Sequence, residues 1–231
     1  MTHQFNVKFK IPIICLCFIF ILAGCANTVT LKESVGSEVT FKVNFGDSPS
    51  FLNYRYFIVY ANASFNLNTN LTNHYFFIPG ENYDESDVST LSNGEGLSYF
   101  YSQYFSTWGG ILELKPSDVS ITQGPFASTL QTDADHYNYT SDLLSINNYR
   151  VEDNHISFTI SADNLTVKDN VFYFSLITIK GNEASNIEDL ISDLQIVEVI
   201  ANSPPKTGSN ETSLFSPDAP AKIESWTVSV Q

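Results

Sequence analysis

Val39-Thr40-Phe41-Lys42-Val43-Asn44-Phe45 alternates apolar and polar side chains without interruption. Successive side chains of a strand point to opposite faces, so Val39, Phe41, Val43 and Phe45 share a face to be buried and Thr40, Lys42 and Asn44 share the other. Gly46-Asp47-Ser48-Pro49 supplies the turn residues that end this strand. The next run, Tyr54 to Tyr60, is rich in aromatic and β-branched residues and almost continuously apolar. That composition predicts a strand covered on both faces. His74 to Ile78, stopped by Pro79-Gly80, is a further candidate strand.

Working outward, Ile156, Phe158 and Ile160 alternate with Ser157 and Thr159, and Val171 to Ile179 reads as a long apolar strand, with Ala162 to Asn170 as the connecting loop or hairpin. Ile111 to Leu114, Ile196 to Ile200 and the closing alternation Trp226, Val228, Val230 add three more strands. Two short helices are expected. In the uncharged window Leu97 to Leu112, Leu97, Tyr101, Tyr104, Phe105 and Trp108 fall at helical spacing, although aromatic richness also suits a strand, and Gly109-Gly110 would end the helix. Ser185 with Glu188 three residues on has the form of a capping box, and Ile187, Leu190, Ile191 and Leu194 then make the apolar stripe of a two-turn helix. Ser203 to Ala221 reads as a Pro, Gly and Ser-rich loop. No repeat recurs at a fixed period. Short strands with turn signals and few helices predict a mainly β protein: an antiparallel β-sandwich, jelly-roll-like or immunoglobulin-like, with one or two short helices, and with a partly closed barrel as the alternative.

The chain has 231 residues, 43% hydrophobic and 14% aromatic, with 18 Phe and 12 Tyr, which excludes low-complexity disorder over most of its length. One domain, residues 31–231, is expected. Acidic residues number 25 against 11 basic, a net charge of -14. Nucleic-acid binding draws on Lys and Arg to displace counterions, so that partner is not expected. The same balance opposes adhesion of the domain to anionic lipid, so a membrane contact needs a separate anchor.

Met1 to Lys10 is polar and weakly basic through Lys8 and Lys10, and the apolar run Ile11 to Leu22 follows. This is the layout of a secretory signal peptide, and the run is short of the roughly 20 residues that span a bilayer. It ends at Leu22-Ala23-Gly24-Cys25, which resembles the lipobox of bacterial lipoproteins. The resemblance implies that residues 1–24 are removed and that Cys25 becomes the first residue, carrying acyl chains and holding the protein at a membrane through residues 25–30 as a short tether. Two or more chains anchor stably where one does not. Cys15 and Cys17 would leave with the signal, so the mature domain would keep no thiol and no disulfide. Loss of Lys8 and Lys10 would leave 9 basic against 25 acidic side chains, a net charge of -16. Residue 26 is Ala and not the Asp that retains many lipoproteins at an inner membrane, so a lipid-anchored place in the cell envelope is expected, at the outer membrane where the host has two. The sequons at Asn62, Asn70, Asn138, Asn164 and Asn210 are read as a by-product of an Asn- and Ser/Thr-rich composition.

Chemistry-bearing patterns are sparse. His74, His136 and His155 show no zinc-ligand spacing, and no nucleophile elbow, phosphate-binding loop or dinucleotide fingerprint occurs. Two acidic clusters stand out, one with Glu81, Asp84, Glu85 and Asp87 and one with Asp133, Asp135 and Asp142. Calcium takes six to eight oxygen ligands, which makes Glu81, Asp84, Asp87, Asp133 and Asp135 candidate ligands, with Asn82 and Asn138 nearby; solvated acidic loops are the alternative. The helix-loop-helix calcium pattern does not fit, because Tyr137 stands where an oxygen ligand belongs. Tyr99, Tyr101, Tyr104 and Trp108 are candidates for a stacking platform under sugar rings, the alternative being core. The functional expectation is a non-catalytic binding domain for carbohydrate, with no cofactor beyond calcium. A structural or assembly lipoprotein that binds another envelope protein is the second reading, and a glycan hydrolase using two of the many carboxylates is the third. A calcium site would stabilise the folded domain by mass action, so its thermal midpoint rises in millimolar calcium; an unchanged midpoint removes the site.

Overall fold

A computed structural model of the chain describes residues 37–62, 75–81, 83, 100–101, 105–124, 126, 139, 141–181, 185–191, 194–211 and 217–231. In chain order the strands are β1 (Glu38–Phe45), β2 (Tyr54–Ala61), β3 (Tyr75–Phe76), β4 (Gly110–Leu114), β5 (Val119–Gln123), β6 (Ser141–Leu143) and β7 (Ile146–Glu152). They continue as β8 (His155–Ser161), β9 (Val171–Lys180), β10 (Ser185–Leu190), β11 (Gln195–Glu198), β12 (Lys206–Ser209) and β13 (Ile223–Val230). One sheet has five strands in the order β12-β13-β1-β8-β7. The other has eight, in the order β3-β10-β9-β2-β4-β5-β6, with β11 also paired to β9. All pairings are antiparallel, and neither sheet closes on itself, so the fold is an open β-sandwich and the barrel alternative falls away.

The opening alternation behaves as its period requires. Val39, Phe41, Val43 and Phe45 are buried between the sheets. There Phe41 stacks on Phe158 of β8 at 5.4 Å and meets Phe174 of β9 edge-on at 5.6 Å. β2 is buried along both faces, as its continuous apolarity predicts. Tyr56, Ile58 and Tyr60 point into the sandwich, while Phe57, Val59 and Ala61 point the other way into a second apolar cluster. That second cluster is roofed by Phe76, Phe77, Phe105, Trp108 and Phe126, so the eight-stranded sheet lies between two cores.

The structure departs from the sequence reading at four places. The expected helix over 185–194 is absent: Ser185–Leu190 is β10, paired to β9 with a register shift between Ile187 and Asp189. A bulge adds one residue to the two-residue period, so Ile187 and Leu190, three apart, reach the same cluster and imitate a helical stripe. The 203–221 segment is not loop throughout, because Lys206–Ser209 forms the edge strand β12 against β13. Gly208 makes that pairing possible, since a Cβ there would lie 2.3 Å from the Trp226 ring. The candidate strand His74 to Ile78 shortens to Tyr75–Phe76, with Phe77 and Ile78 buried beside it. β5, β6 and β7 have no counterpart in the sequence reading; β7 carries a bulge at Asn148, whose φ of 54 breaks the alternation.

One other expectation holds in detail. The 162–170 connection contains a hairpin, with Asp169 and Asn170 at φ 53 and 60 between Lys168 and Val171, the double positive φ of a type I′ turn. In the aromatic window the Phe105 N–H donates to the Tyr101 carbonyl at 2.8 Å, while residues 97–99 and 102–104 of the expected helix lie outside the described residues. Phe41→Ala removes the ring that joins both sheets and is expected to lower stability by about 3–5 kcal/mol, read as a shift of the urea midpoint.

Candidate functional site

Tyr101 is 1% and Trp108 3% exposed. The helical turn places Tyr101 and Phe105 face to face at 5.3 Å, and Phe105 stacks on Trp108 at 4.0 Å. These rings roof the outer face of the eight-stranded sheet, so Tyr101 and Trp108 are core and offer no open face to a sugar. This corrects their reading as platform residues. Burial follows from β2, β4 and β9, whose outward side chains Phe57, Ile111 and Ile177 need an apolar cover. Tyr99 and Tyr104 lie outside the described residues.

Beside this roof is the most concentrated group of charges in the described chain. Arg55, the lone charge in the apolar run of β2, projects onto the outer face of the sheet. Its Nη2 and Nη1 donate to the Glu81 carboxylate at 2.5 and 3.1 Å, and its Nε donates to Glu113 of β4 at 2.7 Å. The guanidinium also lies 5.3 Å from the Phe57 ring centre. Burial works against the Arg55 charge, but the hydrogen bonds it donates to Glu81 and Glu113 outweigh it and hold the group more firmly protonated than an ordinary arginine. The Tyr83 hydroxyl donates to Glu81 at 3.3 Å and accepts from the Ile78 N–H at 2.7 Å, tying the turn at Pro79-Gly80 to the same group. A cavity of about 60 Å³ opens next to it, lined by Phe57, Glu81, Glu113, Thr122, Tyr139 and Ser141 among others. It holds one or two waters' worth of space.

This geometry bears on the calcium candidates. Both oxygens of Glu81 are taken by a guanidinium, which already satisfies the carboxylate that calcium would need. Asp84, Asp87, Asp133 and Asp135 lie outside the described residues, as do Cys25, His74 and His136. Asp142 is exposed on β6, and His155 Nε2 lies 4.0 Å from Glu152. Among the described residues no three His, Cys, Asp or Glu side chains converge as a metal site.

A second polar group escaped the sequence reading. Asp189 of β10 is fully buried and accepts hydrogen bonds from the Ile223 N–H at 2.7 Å, from Asn210 Nδ2 at 3.1 and 3.2 Å and from the Leu190 N–H at 2.9 Å. It ties the eight-stranded sheet to the start of β13 and to the end of β12. The helical reading of 185–194 hid it; Arg55 was missed as well, although it stands in the sequence as a single charge among aromatic and aliphatic neighbours.

The chain matches no family model, no curated protein and no solved structure. Among the described residues no helix is long and apolar enough to cross a membrane.

Five tyrosines give the domain a definite alkaline limit. The Tyr54 hydroxyl donates to Asp218 at 2.5 Å, and that bond, with burial and the carboxylate charge, pushes the phenol up to about 12. Burial raises Tyr56, Tyr60, Tyr83 and Tyr149 as well. A phenol raised in the folded state adds stability that is full below about pH 10, its value in the unfolded chain, and is lost as pH climbs towards the folded value. The thermal midpoint is therefore expected to fall from pH 10 towards pH 12, with phenolate absorbance near 295 nm rising in step with unfolding; early ionisation of all tyrosines in a still-folded domain contradicts this.

Proposed function

We propose that the chain is a bacterial envelope lipoprotein, acylated at Cys25, whose β-sandwich is a non-catalytic binding domain with carbohydrate as its ligand. The observation that carries the reading is an order of segments: a weakly basic start, an apolar run, Leu22-Ala23-Gly24-Cys25, and then a sandwich whose first strand opens at Glu38. Only residues 26–37 separate the acylation position from β1, a reach of at most about 43 Å when fully extended. The domain would therefore work close to its membrane. At the outer membrane of a two-membrane host, Ala26 is compatible with that location.

The non-catalytic part is supported by how the three carboxylates of the two polar groups described above are engaged. Glu81 and Glu113 are clamped on Arg55, and Asp189 is saturated by backbone and amide donors, so each is committed to holding the fold. A general acid or a nucleophile needs a carboxylate that is free to meet substrate. A protein partner in the envelope is favoured by one feature, the edge at β6, which pairs on one side only among the described residues and where Leu143 is 72% exposed.

The anchor is tested in a bacterial host fed labelled palmitate. The wild-type chain is expected to take up label and to fractionate with membranes, and Cys25→Ser is expected to do neither; a wild-type chain without label overturns the lipoprotein reading.

A further inference from the structure

The cavity beside Arg55 is a built space between two layers. On its floor the register sets Ile111 of β4 opposite Thr122 of β5 and Thr122 opposite Ser141 of β6, with Phe57 and Glu113 paired one step along the same outward face. Residues 78–81 and Tyr139 form the other wall. These two segments touch because residue 80 is glycine: its φ is 90, and a Cβ there would lie 2.3 Å from the Tyr139 carbonyl oxygen.

Three observations point to an occupant. Thr122 lines the cavity and is only 5% exposed, yet its hydroxyl makes no hydrogen bond. A buried hydroxyl without a partner costs stability unless something fills the space and supplies one. Glu113 gives the second: its Oε1 accepts from Arg55, but Oε2 has no donor, and Lys115 Nζ, 38% exposed, stands off at 3.9 Å. The third is charge. Glu81 and Glu113 share the single guanidinium of Arg55, and the described side chains that line the cavity include both carboxylates and the hydroxyls of Thr122 and Ser141 but no cation. The Tyr139 hydroxyl is engaged elsewhere, donating to the Phe126 carbonyl.

We propose that this cavity binds one alkali-metal cation, sodium or potassium, held by Thr122 Oγ1 and Glu113 Oε2, with Ser141 Oγ at its mouth. A volume of about 60 Å³ admits an ion or a water but no sugar ring. Hard cations take oxygen ligands, and every uncommitted polar side chain of the lining offers one. Calcium wants six to eight oxygens and more than one free carboxylate, whereas the single oxygen left over here matches a single positive charge. A water would satisfy Thr122 but leave the surplus carboxylate charge unbalanced. The site is independent of the acyl anchor and of any carbohydrate.

The experiment compares thermal midpoints of the full-length protein in detergent micelles, in sodium, potassium and tetramethylammonium chloride at equal ionic strength. An ion that binds only the folded state stabilises it by mass action, so the midpoint in about 0.3 M sodium or potassium chloride is expected to exceed that in tetramethylammonium chloride by about 2 °C or more. Thr122→Val keeps the shape of the side chain and removes its hydroxyl, and is expected to erase that difference. Ser141→Ala, at an exposed position, is expected to reduce it. Equal midpoints in the three salts mean that water alone fills the cavity and overturn the proposal. An advantage of sodium or potassium that folded Thr122→Val keeps in full is an effect of the salt on the surface and overturns it as well. Should Thr122→Val fail to fold, an advantage kept in full by Ser141→Ala is the overturning result.

Discussion

Burial of β2 on both of its faces is the constraint from which the rest of the architecture follows. A strand whose side chains are apolar on alternate and intervening positions alike cannot sit at a protein surface, so one face needs a second sheet and the other needs a cover. The five-stranded sheet meets the first need, with Phe41 as its centre. The roof of Phe76, Phe77, Phe105, Trp108 and Phe126 meets the second, and this explains why the domain is so rich in aromatic residues. The same requirement decides between platform and core for Tyr101 and Trp108: the sheet beneath them leaves no alternative to burial.

Charges inside this structure act as fasteners. Arg55 emerges from the most apolar strand and grips Glu113 on the neighbouring strand and Glu81 on the segment that begins the roof, joining two layers through one guanidinium. Asp189 does the corresponding work at the other margin, accepting from β13 and from the end of β12. A buried ion that is fully hydrogen-bonded gives little net stability over a hydrophobic substitute, but one left without its partners is severely destabilising, so each such group fixes a single arrangement of layers.

How much of this was legible depended on whether a period survived intact. β1, β2, β8, β9 and β13 kept an uninterrupted alternation or a continuous apolar run, and each appears within a residue or two of its expected place. β10 and β7 carry bulges, and a bulge changes parity, so Ile187 and Leu190 imitated a helix and the strand at Ile146–Glu152 gave no signal. β12 contains no apolar side chain and is a strand only because Gly208 lets the chain lie against Trp226. At the candidate sites the limit was different. Residue type marked Tyr101 and Trp108 as aromatic and Glu81 as acidic, but whether a ring is core or platform, and whether a carboxylate is free or clamped, depends on neighbours distant in sequence, such as Phe76 and Arg55.

The way the chain enters the sandwich has a mechanical meaning. Ser37 and Glu38 donate their N–H groups to the Gln231 carbonyl, Gln231 donates back to Glu38, and from there β1 runs between β13 and β8 along its whole length. Ladder hydrogen bonds lie across the strand direction, so a pull on residues before Ser37 along β1 strains both ladders at once in shear instead of opening them one bond at a time from an edge. A central strand in that position resists tension where a peripheral strand would peel away.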